Sequence, residues 1–305
     1  MALMIALIGE QPLPNFLLAR HEHPNALLLV YTTPKTEPVY NNLEAALKSL
    51  KSETKIYGLT TDPYNVIAVI KDLEDKLKEL TKPEYITHQP LVFNLTGGTK
   101  AMSLAAYHVA QHYNDASIVY MESEGKDNQI FRYEWKQQQL QFKDSIMLPE
   151  CVQLKDFFNI HLGLKKWHVD GPSPTDGGLL ERAVGDALAS HGYEVMMGVK
   201  IMKDQVDIDV AIRSSNQFGI IEVKAGEEGR GLKGIQQLST AKRHLGTFTQ
   251  QFYVINVTAT PSQNEIVEAA NINVISLLDY RKGATSLSAR DTKELIKRVD
   301  EIFKK

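Results

Sequence analysis

Charged residues interrupt two otherwise apolar stretches, Val206-Asp207-Ile208-Asp209-Val210 and Phe218-Gly219-Ile220-Ile221-Glu222-Val223-Lys224. Side chains alternate faces along a strand, so Glu222 and Lys224 share one face while Ile221 and Val223 take the other. Asp207 and Asp209 likewise share a face, opposite Ile208 and Val210. A charge buried unpaired costs on the order of several kcal/mol. Binding a divalent ion would offset that cost, because hard cations such as Mg²⁺ take carboxylate oxygens. The plain alternative is a pair of edge strands with solvated charges, and a bare Glu-x-Lys occurs by chance in most proteins. Twelve residues separate Asp209 from Glu222, room for two antiparallel strands and a turn. A helical stretch, Leu179–His191, precedes them and carries Leu180-Glu181-Arg182, with Glu181 as a further candidate acid.

An Asp on one strand, Glu-x-Lys on the next and a Glu on the preceding helix resemble the PD-(D/E)XK nuclease signature. The resemblance implies catalytic roles for Glu181, Asp209, Glu222 and Lys224. Asp209 and Glu222 would hold Mg²⁺ or Mn²⁺, and Glu181 would complete the shell or serve a second ion. Lys224 would orient the attacking water and counter charge on the phosphate. Asp207 is a second ligand or a polar neighbour, and the spacing to Glu222 favours Asp209. On the following helical pattern, Leu232–His244, Gln236 and Gln237 either touch substrate or metal or belong to an ordinary amphipathic face. Lys233, Lys242 and Arg243 on that helix contact phosphates or are simply solvated.

Two loops in the first half also carry chemistry. Gly9-Glu10-Gln11-Pro12-Leu13-Pro14-Asn15 follows the first apolar run, and Asn94-Leu95-Thr96-Gly97-Gly98-Thr99-Lys100 joins a strand to a helix. Both lie where open α/β sheets bind ligands, at the carboxyl ends of parallel strands. Glycine backbone, two hydroxyls, a cation and a helix N-terminus suit a phosphate, although a tight turn without a ligand has the same ingredients. The spacing is neither that of a phosphate-cradling Gly-x₄-Gly-Lys loop nor GxGxxG, so nucleotide hydrolysis is not indicated.

These residues must be positioned by two different sets of elements. Over the first 145 residues, apolar runs (Leu3–Ile8, Ala26–Thr32, Lys55–Leu59, Leu91–Leu95, Ser117–Met121) alternate with helical patterns (Val39–Leu50, Tyr64–Leu80, Lys100–Tyr113), as in a parallel α/β sheet. Gln129–Trp135 and Leu140–Lys143 read as a closing hairpin. A linker is expected over 146–176, with a short helix near Cys151–Ile160 and a Pro- and Gly-rich run from Gly171 to Gly178. From 177 to 305 the order becomes helix, three strands (Glu194–Ile201, Val206–Ile212, Gly219–Lys224), helix, two strands (Tyr253–Val257, Val274–Leu278) and a terminal helix, Asp291–Lys305.

The 305 residues allow two domains, and 43% hydrophobic with 23% charged residues is ordinary globular composition. One cysteine, Cys151, allows no internal disulfide and points to a reducing cytoplasm. It reads as a packed residue rather than a nucleophile. No run reaches the roughly 20 apolar residues needed to span a bilayer. The net charge of −3 divides unevenly. Residues 1–150 hold 14 Lys and Arg against 18 Asp and Glu, and residues 151–305 hold 20 against 19. This is no footprint of a strong non-specific duplex binder, so nucleic-acid contact should be local or gated.

Taken together, GEQPLPN, Val30–Thr36 (VYTTPKT), Asn94–Ser103 (NLTGGTKAMS) and the IEVK strand resemble the CARF-domain nucleases, Rossmann-like sensors joined to PD-(D/E)XK domains in type III CRISPR systems. The resemblance covers nearly the whole chain. It implies a homodimer that binds a cyclic oligoadenylate, typically cyclic tetra-adenylate, across its two-fold axis and then cleaves DNA, RNA or both. Ligand contacts would come from Gly9, Glu10, Gln11, Thr32, Thr33, Thr96, Gly97, Gly98, Thr99 and Lys100. A non-catalytic regulator, or a restriction- or repair-type nuclease with another nucleotide bound, are the competing classes. His108 and His112, four apart on a helix, lack an evident third ligand and read as polar or dimer-facing rather than zinc-binding. His21 and His23 read as loop surface.

Overall fold

A computed structural model describes residues 2–81, 90–124, 127–136 and 139–303. It divides into two compact units, Met1–Cys151 and Val152–Lys305.

In the first unit, β1 (Leu3–Leu7), β2 (Ala26–Tyr31), β3 (Lys55–Thr60), β4 (Leu91–Asn94) and β5 (Ser117–Glu124) are parallel. β6 (Asp127–Lys136) and β7 (Gln139–Met147) extend the sheet antiparallel, in the order β3-β2-β1-β4-β5-β6-β7. The central strands β1 and β2 are apolar almost throughout and buried, as strands covered on both faces must be. Four helices provide the cover: α1 (Leu13–Glu22), α2 (Glu37–Ser49), α3 (Val66–Leu80) and α4 (Lys100–Ala110). Val69, Leu73 and Leu77 form a stripe on α3 that packs with Met102, Ala105 and Val109 of α4 against Leu3, Ile5 and Leu7. Ala19, Leu47 and Leu50, from α1 and α2 and the residue after α2, meet Leu27 on the opposite face.

The second unit contains α5 (Leu154–Leu162), β8 (Trp167–Val169), α6 (Asp176–Ser190), β9 (Glu194–Ile201), β10 (Val206–Ser214), β11 (Gln217–Lys224), α7 (Lys233–Leu245), β12 (Gln250–Ile255), α8 (Pro261–Ala269), β13 (Asn273–Ser276) and α9 (Ala289–Phe303). Its sheet runs β13-β12-β11-β10-β9-β8. The strands β8 to β11 are antiparallel, whereas β11, β12 and β13 are parallel. Leu180, Val184 and Leu188 of α6 and Leu295, Val299 and Phe303 of α9 pack on Ile221, Val223, Val210 and Ile212.

The α/β class and two sheets agree with the sequence reading, and several boundaries differ. The GEQPLPN loop is shorter than expected, because Leu13 already begins α1 and its Pro12 and Pro14 occupy the cap and first turn, where no N–H is needed. His21 therefore lies in a helix, and His23 is its left-handed cap. Residues 146–176 are not a free linker. Residues 146 and 147 end β7, α5 packs within the second unit, and β8 pairs with β9. The helix α8 was not anticipated, although Thr260-Pro261 with Gln263 is a capping box. The last two residues of the expected terminal helix lie outside the described residues.

Candidate active site and activator loops

β10 and β11 form a hairpin over Ser215 and Asn216, and their ladder ends at Val210 and Ile221. One residue beyond, the strands diverge. There the Asp209 carboxylate accepts the Val223 backbone N–H at 2.7 Å, a side chain standing in for a ladder carbonyl. β11 keeps its pairing with β12 as far as Lys224, which holds Glu222 in place. Glu222 is 1% exposed and Asp209 9%. Lys224 Nζ lies 2.5 Å from Glu222 Oε1 and 3.6 Å from Asp209 Oδ2, and it donates to the Val223 carbonyl at 3.2 Å. Glu222 Oε1 is buried, and the Lys224 ammonium is its close polar partner.

Glu181 sits on the flank of α6, one residue past the buried Leu180, and feels both Asp209 and Lys224. Burial, then the charge of Asp209, pushes its carboxyl up to about 7. The same two causes push Glu222 up to about 8, and burial raises Asp209. Lys224 is pulled down by burial, yet Glu222 and Asp209 outweigh this and raise it to about 12. The structure thus brings Asp209, Glu222 and Lys224 into contact and leaves Glu181 within electrostatic reach.

Asp207 has a different role from Asp209. It faces Lys200 across the β9–β10 ladder and forms an ion pair with it. Lys200 escaped the sequence reading, although Val199-Lys200-Ile201 is another charge set between apolar residues. α7 reaches the site through Gly234. A Cβ there would come within 2.5 Å of the Tyr253 ring and 3.1 Å of Glu222 Cγ. Tyr253 is the second residue missed, a buried phenol beside Glu222 that donates to the Gly229 carbonyl. Of the two glutamines, Gln236 is exposed, while Gln237 carries a buried Oε1 without a hydrogen-bond partner. Lys233 and Arg243 are exposed, and Lys242 is half-buried with its pKa lowered by desolvation.

These residues fit a divalent ion. Once deprotonated, Glu181, Asp207, Asp209 and Glu222 outnumber Lys200 and Lys224, four carboxylates against two ammoniums, and one divalent ion would balance the excess. The buried Glu222 oxygen is a hard donor whose close partner is the Lys224 ammonium, which a divalent ion would replace. Among the described residues, no three His, Cys, Asp or Glu side chains converge as a ready-made ligand group. An ion would therefore rest on Asp209 and Glu222 with water, as Mg²⁺ does with one or two carboxylates.

In the first unit, the strand order reverses between β1 and β4, the usual position of a ligand crevice. Gly97 lies against the end of β1, where a Cβ would be 2.2 Å from the Leu7 carbonyl. Gly98 has φ +76°, and its neighbour across the crevice is Gly9. Asn94 donates to Asn15 at 2.7 Å and Asn15 to Leu7 O at 2.9 Å, a buried relay that fastens both loops to β1. Thr96 Oγ1 accepts the Met121 N–H at 2.8 Å. Thr99 caps α4 by accepting from Met102 and donates to the Pro63 carbonyl. Thr32 is buried against Thr36. These three hydroxyls therefore shape the loops from within. The groups left facing outward are Glu10, in a 2.5 Å ion pair with Lys35, together with Thr33 and Lys100. Gly9, Gln11, Gly97 and Gly98 are half-buried between them.

His108 and His112 contact edge to ring, with His112 3.8 Å from Glu74. Cys151, the one cysteine of the chain, is half-buried. Among the described residues no helix is long and apolar enough to cross a membrane.

Comparison with known proteins agrees with this architecture. The chain's fold is similar to that of Can2 from Sulfobacillus thermosulfidooxidans, solved in complex with cyclic tetra-adenylate, at 15% identity over 99% of both chains with a TM-score of 0.73. It is similar to protein VC1899 from Vibrio cholerae, at 13% identity over 99% of this chain and 98% of that one, with a TM-score of 0.70. A type III CRISPR defence DNA nuclease activated by cyclic oligoadenylate matches at 17% identity and a TM-score of 0.63, over 97% of this chain and 51% of that one. At these identities the likeness is one of fold. No curated protein sequence matches. The family model of the Card1 CARF domain matches residues 3–151. Those residues end where the first compact unit ends, so the first unit is similar to that CARF domain, and a second α/β unit follows from Val152.

Proposed function

We propose that this protein is a divalent-metal-dependent endonuclease switched on by a cyclic oligoadenylate, with cyclic tetra-adenylate as activator. Its substrate would be DNA, RNA or both, as single strands or as duplex DNA that it nicks, in type III CRISPR antiviral defence. A homodimer would bind the activator, because a symmetric ring suits two copies of the same loops. The observation that carries the catalytic reading is the pair of buried carboxyls, Glu222 and Asp209, gathered on Lys224 where two strands diverge. The CARF domain and the loops at its strand reversal support the sensing half.

When bound, Mg²⁺ or Mn²⁺ would polarise the phosphate and lower the pKa of a coordinated water. Asp209 and Glu222 would hold it. Lys224, relieved of Glu222 as its counter-charge, would turn its ammonium to the scissile phosphate and oppose the charge that develops there. Glu181, with its carboxyl near neutrality, can hold or release a proton at working pH.

The second reading is a sensor with a nuclease-like module that binds nucleic acid without cutting it. The absence of a three-ligand group among the described residues favours it. The test is cleavage of single-stranded DNA and RNA in the presence of cyclic tetra-adenylate and Mn²⁺, compared with chelator and with Glu222→Ala and Lys224→Ala. Cleavage lost in all three controls supports catalysis. Substrate binding without cleavage under every condition supports the module.

A further inference from the structure

The loop after β3 was not among the segments with evident chemistry, and the structure brings it to the activator crevice. β3 is the edge strand, three positions from β4. At about 4.8 Å per strand, its end lies roughly 14 Å from the end of β4. Yet the Pro63 carbonyl accepts from the Thr99 hydroxyl at 2.5 Å, at the N-terminus of α4. Residues 61–65 must therefore pass the carboxyl ends of β2 and β1 to reach it. The path is fixed by packing as well, because α3, which this loop feeds, lies beside α4 on the same sheet face.

The crossing loop is held firmly. Asp62 accepts the backbone N–H groups of Tyr64 and Asn65 at 2.8 and 2.9 Å, and these bonds hold its carboxyl below the usual range. Asn65 caps α3 by accepting from Ala68. At the tip of this rigid turn, Tyr64 is 77% exposed, and Ile67, one turn into α3, is 74% exposed. The Tyr64 phenol lies within electrostatic range of Lys35, which bridges to Glu10 of the first loop. A large aromatic ring is thus presented to solvent from a fixed backbone, within electrostatic range of Lys35 and next to Pro63, whose carbonyl holds Thr99.

We propose that the Asp62–Asn65 turn is an additional activator-binding loop, with the Tyr64 ring stacking on an adenine base of the bound cyclic oligoadenylate. This rests on the sensor reading and extends it: the glycine loops and Lys100 take the phosphates, and Tyr64 takes a base. Stacking on an aromatic face tolerates any base, and its loss on truncation is expected to weaken binding about tenfold or more.

The experiment is calorimetric titration of the full chain with cyclic tetra-adenylate, for the wild type, Tyr64→Phe and Tyr64→Ala. Sedimentation of each variant is measured alongside. The expected result is affinity within about twofold of wild type for Tyr64→Phe, which keeps the ring, and a loss of at least about tenfold for Tyr64→Ala with unchanged mass. Wild-type affinity in Tyr64→Ala overturns the proposal, as does an equal loss in Tyr64→Phe. A loss in Tyr64→Ala that tracks dissociation into monomers also overturns it, since the ring would then pack on a second copy. A wild-type chain that binds no cyclic tetra-adenylate refutes the sensor reading itself, a distinct outcome from a Tyr64 variant that binds normally.

Discussion

At the residue scale, two aspartates two positions apart have separate duties. Asp209 is tied to the Val223 N–H and lies near Lys224, while Asp207 is satisfied by Lys200. Asp209→Asn is expected to reduce cleavage by roughly a hundredfold or more, the scale of losing one preorganised charge contact. Asp207→Asn should cost about tenfold at most, the scale of an outer supporting partner. Single-turnover cleavage of both variants measures the gap, and equal losses would show that Asp207 is also a ligand. The acid–base balance gives a second prediction. Carboxylates must lose their protons to bind metal, and Glu181 and Glu222 are pushed up to about 7 and about 8. Mn²⁺ affinity should therefore climb between pH 6 and 8 and level off above. Metal-free stability runs the opposite way. The folded Glu222 keeps its proton up to about 8, whereas the unfolded side chain loses it near the ordinary glutamate value of 4.5. The native state then binds more protons, and stability contributed by this group falls as pH rises between those values. Calorimetric Mn²⁺ titrations and urea melts at pH 6, 7 and 8 follow the two trends.

At the element scale, each site depends on a close approach that only glycine permits. Gly234 lets α7 rest on Tyr253 and Glu222, and Gly97 lets the loop between β4 and α4 rest on the end of β1. Gly234→Ala should cost about 1–3 kcal/mol by overpacking and lower cleavage. Calorimetry should show its activator affinity unchanged, since the residue belongs to the second unit. Gly97→Ala should show the converse, with activator binding lost and Mn²⁺ binding retained. A single pattern shared by both variants would contradict this division.

The elements also show what the amino-acid sequence makes legible. β1, β2, β10 and β11 were readable because their apolar runs and charge interruptions are properties of single strands. Asp209, Glu222 and Lys224 followed from period-two alternation and one spacing. The Lys200–Asp207 pair, the approach of Gly234 and the crossing of residues 61–65 were not readable. Each is made by residues brought together only by strand order or helix packing. β8 has three residues, too few for a periodic signal, and α8 is a short polar helix whose capping box was the available clue. Pro and Gly between 171 and 178 resembled a linker, yet the residues before them are recruited by the edge of the second sheet.

At the scale of the whole molecule, an acidic first half is joined to a near-neutral second half that holds Asp209, Glu222 and Lys224. Such a chain has little distributed positive charge to hold nucleic acid, so productive contact must be local and conditional. Gating is the natural consequence: activator free energy, spent on the first unit, would set the population of cleavage-competent second units. The sedimenting species should be twice the 34.2 kDa chain. The most direct test is the initial rate of single-stranded DNA and RNA cleavage by the wild-type chain in Mn²⁺, with and without saturating cyclic tetra-adenylate. The activator is expected to raise the rate by at least about a hundredfold, which requires a differential affinity for the two states of about that ratio. An equal rate with and without it would contradict the central claim, leaving an ungated nuclease beside a CARF domain that senses something else.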